Sequence, residues 1–362
     1  MSRLVIERLQ KSFGSFTLFE ELDLAVEAGE TVAIAGPSGG GKTMFLRLIA
    51  GLIEPSGGDI RIDGASVLGT GPEGRDVGMA FQNFALYPHF PAFENIASPL
   101  RATGADEATI RKRVDEVASL LKIDHVLHHT PKELSNGQKQ RTALARALVR
   151  RPKVLLLDDP LRNVDAKLRF EMRLELPRLL RESGSAVLYV TQDYREAMGL
   201  GDRVGILRAG RFEQVAPPAE IYREPRTVEI ARLFGDPTIN LFQGTPRGDD
   251  QGLSVDVLGR SVRLDPSLRH AAGRACLIGI RPEHVEIGTG SGEFELDAVM
   301  PLNVRAVLLL RAPDGSEILA TCPEERAEGL GRGHRQVSAT IKGDHAILFD
   351  AESGSRIAPQ AA

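Results

Sequence analysis

Runs and alternations of apolar residues sort much of this chain into strands and helices. The run Thr31-Val32-Ala33-Ile34-Ala35 predicts a buried strand, and the spacing of Met44-Phe45-Leu46-Arg47-Leu48-Ile49-Ala50 predicts a helix. Residues 2–35 are otherwise rich in strand-like alternation. Gly57 to Gly64 forms a strand bounded by turn signals, and Val77 to Phe81 is a short apolar strand that ends at Gln82. Asn83 to Leu100 carries Phe84, Tyr87, Pro88, Phe90, Pro91 and Phe93 and reads as an unusually apolar loop. Helical spacing returns from Asp106 to Leu121. It appears again from Ser135 through Arg150, with Ala143, Leu144, Ala147 and Leu148 on one face. Val154 to Leu157 and Ala186 to Thr191 are buried strands, with a helix between them to about Arg181. Beyond about residue 235 the pattern changes to short alternating strands with Gly/Asp turns. An α/β domain over 1–235 followed by a smaller all-β domain over 236–362 is therefore expected.

Candidate chemistry sits between and at the ends of these strands. Gly36-Pro37-Ser38-Gly39-Gly40-Gly41-Lys42-Thr43 joins a strand to a helix and fits GxxxxGK[ST] at each fixed position. Its glycines let backbone N–H groups curl around a β-phosphate, and the following helix points its positive end there. Lys42 can reach β- and γ-phosphates, and the Thr43 hydroxyl can ligate Mg²⁺. The stretch predicts a nucleoside triphosphate site. Gln82 could reach a metal-bound water or the γ-phosphate, although a lone strand-end amide is ordinary. Asp158 suits a Mg²⁺-water ligand, and Asp159 suits positioning of an attacking water. Ser135 is a candidate N-cap, so the N–H groups at its helix start could hold an anion. Phe13, in the turn Lys11-Ser12-Phe13-Gly14, could stack on a nucleobase or sit in the core.

Composition narrows the alternatives. With 362 residues, 42% hydrophobic and 26% charged, the chain is an ordinary two-domain globular protein. A net charge of −4 without a long basic run speaks against nucleic acid as a partner. Arg150-Arg151 and Lys139 to Arg141 read as solvated helix charges. No apolar stretch approaches the ~18 residues of a membrane span. Met1 to Arg8 carries charge where a signal peptide needs an apolar core. Cys276 and Cys322 read as ordinary thiols in a reducing cytoplasm. His125, His128 and His129 cluster before Pro131 without a carboxylate or Cys at ligand spacing, so a solvated loop is expected there.

Taken in order, the phosphate loop, Gln82, Leu134-Ser135-Asn136-Gly137-Gln138, Leu155 to Pro160, the Asn163–Asp165 turn and Thr191-Gln192-Asp193 resemble an ABC transporter ATPase. Phe81 to His89 is similar to the importer subgroup exemplified by the maltose transporter ATPase. Leu277 to His284 is similar to that subgroup's C-terminal TOBE/OB-like β-barrel domain. The resemblance implies head-to-tail ATPase domains, each ATP held between one phosphate loop and the partner's signature motif. It implies Phe13 on adenine, and Gly36 to Thr43, Gln82 and Asp158 on phosphates and Mg²⁺. Ser135, Asn136, Gly137 and Gln138 would face ATP across the interface, with Asp165 in the adjoining turn. It further implies a peripheral protein on the cytoplasmic face of the inner membrane. Permease subunits would be received near Asn83–Leu100, and an extracytoplasmic solute-binding protein would act indirectly. Carbohydrates, polyols or related solutes are the expected cargo.

Three positions depart from the family pattern. Asp159 stands where Glu is usual, Gln192 where His is usual, and Asn136 where Gly is usual. A carboxylate drawn back by about 1.5 Å can misplace the attacking water. Gln192 can hydrogen-bond but cannot become cationic. Asn136 tolerates left-handed backbone and leaves Ser135 and Gly137 in place. Catalysis by Asp159, Gln192 and Lys42 is expected to be slowed, which suits a heterodimer with a second ATPase; a homodimer and a hydrolysis-poor regulator are the alternatives. A soluble ABC ATPase of repair or translation is disfavoured by the lack of a tandem ATPase domain or a coiled-coil insertion.

Overall fold

The computed structural model describes residues 3–162, 164–250, 252–288, 292–331 and 336–360; Asn163 of the predicted turn lies outside them. The chain divides into two compact units, Met1–Pro218 and Ala219–Ala362.

The first unit holds strands β1 (Leu4–Phe13), β2 (Phe16–Val26), β3 (Thr31–Ala35), β4 (Gly57–Ile62), β5 (Ala65–Ser66), β6 (Val77–Ala80), β7 (Val154–Asp158), β8 (Ala186–Val190), β9 (Arg203–Arg208) and β10 (Arg211–Ala216). Its helices are α1 (Lys42–Ile49), α2 (Ala92–Ala102), α3 (Glu107–Leu120), α4 (Asn136–Leu148), α5 (Ala166–Ser183) and α6 (Tyr194–Leu200). One sheet runs β2-β1-β4-β5 with antiparallel pairing. The other runs β10-β9-β3-β8-β7-β6 and is parallel except at β10. Every residue of β3, β7 and β8 is buried, which explains their unbroken apolar runs: a parallel sheet is covered on both faces. β3 lies between β8 and β9, so the loop that leaves its carboxyl end opens where such sheets hold ligands.

Helix α1 ends against Arg75, whose Nη1 donates to Leu48 O and Ile49 O at 3.0 Å each and whose Nε donates to Thr70 O at 2.8 Å. A cation at a helix C-terminus satisfies carbonyls that lack intrahelical partners. Helices α2, α3 and α4 share a core that includes Ile96, Ile110, Val114, Leu144 and Leu148. This is the helical subdomain.

The segment Asn83–Leu100, read as an apolar loop, is a loop only as far as Pro91; α2 follows. Aromatic and proline content masked the helix, whose first N–H groups are capped at a distance. Ala92 N donates to His129 O and Phe93 N to Leu127 O, both at 2.8 Å, so the histidine-bearing loop closes the helix start with its backbone. Asn95, fully buried, accepts from Tyr87 N at 2.7 Å and donates to Tyr87 O at 3.1 Å and Phe90 O at 2.9 Å. That one amide folds the loop onto its own helix.

The second unit is rich in antiparallel β-structure. Strands 240–244, 276–280 and 347–350 form one sheet, and 252–257 pairs with 260–264. Strands 294–302, 305–311 and 317–323 form another. Leu253, Val255, Ile278, Leu308, Leu310 and Ile318 lie in its core. The unit begins upstream of the boundary expected at 235, because the helix Val228–Leu233 packs Val228 and Ala231 against Ile239, Ile347 and Phe349. Arg281, 2% exposed, fixes this arrangement. It donates to Tyr222 O at 2.7 Å, Ala231 O at 2.9 Å and Phe234 O at 3.0 Å, with its guanidinium 3.9 Å from the centre of the Tyr222 ring.

Candidate nucleotide-binding and catalytic site

The loop between β3 and α1 is shaped by glycines that cannot carry a side chain. Gly36 has φ +154°, and a Cβ there would lie 2.2 Å from the Leu207 carbonyl oxygen. Gly41 caps α1 at φ +89°, where a Cβ would come within 2.7 Å of the Phe19 ring. Strain of this kind is worth about 1–3 kcal/mol. Gly36→Ala is therefore expected to weaken nucleotide binding by on the order of tenfold. Titration with a fluorescent ATP analogue checks this, and unchanged affinity would mean that the loop adapts.

This loop opens onto a cleft of about 410 Å³ lined by Ser38 to Thr43, Gln82, Asp158, Asp159 and Gln192, together with Leu18, Met44, Arg47, Arg162, Val190 and Thr191. Gly36 and Pro37 contribute through their carbonyls, which accept from Lys42 Nζ at 2.8 and 2.7 Å. Burial pushes the Lys42 ammonium below its usual pKa, while the carboxylates of Asp159 and Asp158 oppose the shift.

Thr43 Oγ1 donates to Asp158 Oδ1 at 3.1 Å, which brings a hydroxyl and a carboxylate together at the start of α1 and the end of β7. Two hard oxygen donors beside a phosphate loop fit a magnesium ion that takes its remaining ligands from phosphate and water. Asp159 follows at φ +50°, nearly buried. Its N–H donates to Val190 O at 2.8 Å, and its carbonyl accepts from Gln140 Nε2 at 2.9 Å. Burial raises the carboxyl pKa of both aspartates.

Gln192 enters the cleft from the loop after β8. Thr191 and Tyr189 hydroxyls both donate to Glu196 Oε2 at 3.0 Å, and Asp193 N donates to Thr191 Oγ1 at 3.0 Å. Glu196 is almost fully buried, and burial raises its pKa against those two hydrogen bonds. Thus the residues flanking Gln192 are held by a buried network.

Other expected site residues lie outside the cleft. Phe13 is 46% exposed at the β1–β2 turn, with Lys11 Nζ 4.9 Å from its ring centre. Ser135 to Gln138 open α4, where Ser135 N donates to Gln138 Oε1 at 2.9 Å and Gln138 N to Ser135 Oγ at 3.3 Å. The pair is a capping box, and Ser135 is the N-cap that its position suggests. Asp165 directly precedes α5, and its carbonyl accepts from Arg169 N at 2.8 Å. Among the described residues, the start of α4 does not line the cleft that the phosphate loop opens onto.

Several supporting residues escaped the sequence reading. Gln140 ties α4 to the Asp159 backbone, and Arg146, further along the same helix, donates to Ala85 O at 2.8 Å and Phe84 O at 3.1 Å. Gln140 shares a buried face with Ala143, Leu144 and Ala147, so its helical position was the available signal.

Comparison with known proteins agrees with this geometry. Residues 19–162 match the ABC transporter family model, and residues 235–285 match the MalK OB fold domain. The sn-glycerol-3-phosphate import ATP-binding protein UgpC of Cereibacter sphaeroides is 39% identical over 99% of this chain and 100% of its own. The spermidine/putrescine import ATP-binding protein PotA of Rubrobacter xylanophilus is 38% identical over 96% of this chain and 94% of its own. Among solved structures, the dimeric structure of MJ0796, a bacterial ABC transporter cassette, superposes with a TM-score of 0.56 at 30% identity, covering 59% of this chain and 98% of that one. This chain belongs to the ABC transporter ATP-binding proteins, as an importer ATPase whose ATPase domain is followed by an OB domain of the MalK type.

Proposed function

We propose that this chain is the motor of an importer for a small polar solute, and that its cleft binds Mg²⁺-ATP and hydrolyses it through Asp159 and Gln192. The observation that carries this is the convergence of Lys42, Thr43, Asp158, Asp159 and Gln192 on one cleft. Loop N–H groups and Lys42 hold the phosphates. Thr43 and Asp158 would hold a magnesium ion, which when bound would supply charge neutralisation at the phosphates. Asp159 accepts a hydrogen bond from the attacking water, and Gln192 orients it. The water oxygen bonds to the γ-phosphorus as the bond to the β–γ bridging oxygen breaks, and ADP takes that electron pair. Ser135, Asn136 and Gly137, exposed or half-exposed at the positive end of α4, serve the γ-phosphate of a facing ATPase domain.

A permease subunit docks beside α2. A groove of about 410 Å³ is lined there by Met79, Phe81, Tyr87, Pro99 and Arg146, and Tyr87 and Phe90 stand about half exposed at the loop, their ring centres 5.5 Å apart. Exposed aromatics over a groove are interface chemistry. The protein would thereby sit peripherally on the membrane; among the described residues no helix is long and apolar enough to cross one. Relatives named for sn-glycerol-3-phosphate and for spermidine/putrescine import support a small polar cargo; within it a sugar, polyol or related solute is the class proposed, with selection made by other subunits.

The partner ATPase in this reading is a second, different chain. Asp159 and Gln192 both line the cleft, so a homodimer would carry both departures in both of its sites. Co-expression with a candidate second ATPase of the same importer family, followed by size exclusion in ATP, tests the pairing. Mixed dimers are expected, and homodimers alone would remove the basis for it.

A further inference from the structure

The short carboxylate of Asp159 needs something to hold it forward, and a cation stands beside it in the cleft. Arg162 lines the same cleft, and its Nη1 lies 3.8 Å from Asp159 Oδ2. The Arg162 side chain is half exposed, whereas that of Asp159 is 12% exposed, so the guanidinium covers the carboxylate from the open side. The backbone beneath it is fixed. Arg162 N donates to Asp159 O at 3.3 Å, and Arg162 O accepts from Arg169 Nη2 at 3.1 Å, a group that also donates to Val164 O at 2.9 Å. Leu161, fully buried, anchors the turn. The other cations lining the cleft are placed differently. Lys42 is engaged with the carbonyls of Gly36 and Pro37, and Arg47 belongs to α1. Gln192 supplies no charge.

We infer that Arg162 is a positioning residue that orients the Asp159 carboxylate toward the attacking water. The inference rests on the proposed ATP-hydrolysing role of the cleft. A half-exposed ion pair contributes little to stability. Its effect here is geometric: displacement of a reacting group by about 1 Å can cost roughly 10²-fold in rate.

The test compares wild type, Arg162→Ala, Arg162→Gln and Arg162→Lys, each with and without Asp159→Glu, with Lys42→Ala as background. Hydrolysis kinetics, binding of a fluorescent ATP analogue and thermal melting are measured on the full chain. Arg162→Ala and Arg162→Gln should lower kcat at least about tenfold with KM, nucleotide affinity and melting temperature unchanged. Arg162→Lys should recover part of the rate. With Asp159→Glu present, the longer side chain reaches the water unaided, and loss of Arg162 should cost less than about twofold. Equal losses in both backgrounds, an unchanged kcat, or a loss seen in nucleotide affinity rather than kcat would overturn the inference. Hydrolysis that survives Lys42→Ala would instead sink the reading of the cleft itself.

Discussion

Lys42→Ala should abolish productive nucleotide use. The ammonium is held at 2.7–2.8 Å from two loop carbonyls, and in the proposed function it is the cation of the loop that meets the phosphates. Removing it leaves those carbonyls unpaired and deprives the phosphates of a partly desolvated charge. Loss of one preorganised donor to developing charge typically costs about 10²–10³-fold, and weaker ground-state binding adds to that. Lys42→Arg should not rescue, since a planar fork cannot occupy the pocket of a compact ammonium. Phosphate release in a coupled assay reads the effect, and more than about a tenth of the wild-type rate would place catalysis elsewhere.

Arg281→Met should destabilise the second unit more than any surface change. The guanidinium gathers three backbone carbonyls and lies over Tyr222, while Tyr222 Oη donates to Glu283 Oε1 at 2.5 Å. Methionine fills the space but pairs with none of the carbonyls. Leaving buried acceptors unpaired costs about 1–3 kcal/mol each, so a loss of at least about 3 kcal/mol is expected. Urea unfolding measures it, and a change below about 1 kcal/mol would mean that water takes over the three carbonyls. Arg281→Lys should recover little, because one ammonium cannot span three acceptors in this geometry.

The legible part of the molecule was the part with local rules. β3, β7 and β8 announced themselves as unbroken apolar runs because both faces of their sheet are covered. The phosphate loop was legible because each position has its own steric or chemical demand. Ser135 was legible as a cap because a hydroxyl residue stands where helical spacing begins, and the structure adds the capping box with Gln138. What sequence left unread depends on partners far along the chain. Helix α2 borrows its first acceptors from Leu127 and His129, and its loop is folded by Asn95. The buried Glu196 beneath the Gln192 loop reads in sequence as a surface helix charge. The second unit starts earlier than its change of pattern, because Arg281 reaches back to Tyr222, Ala231 and Phe234. Arg162 was passed over as one more polar residue of a turn, and only the fold sets it against Asp159.

The most direct measurement is steady-state ATP hydrolysis by the purified chain at several concentrations, beside a variant carrying Asp159→Glu and Gln192→His, with Lys42→Ala as background. The expected result is slow, Mg²⁺-dependent hydrolysis by the native chain that requires Lys42. The double substitution should raise it at least about tenfold by restoring the reach of the carboxylate and a group that can carry charge. A rate that is independent of Lys42, or one already as high as that of the double variant, would contradict this account of the site.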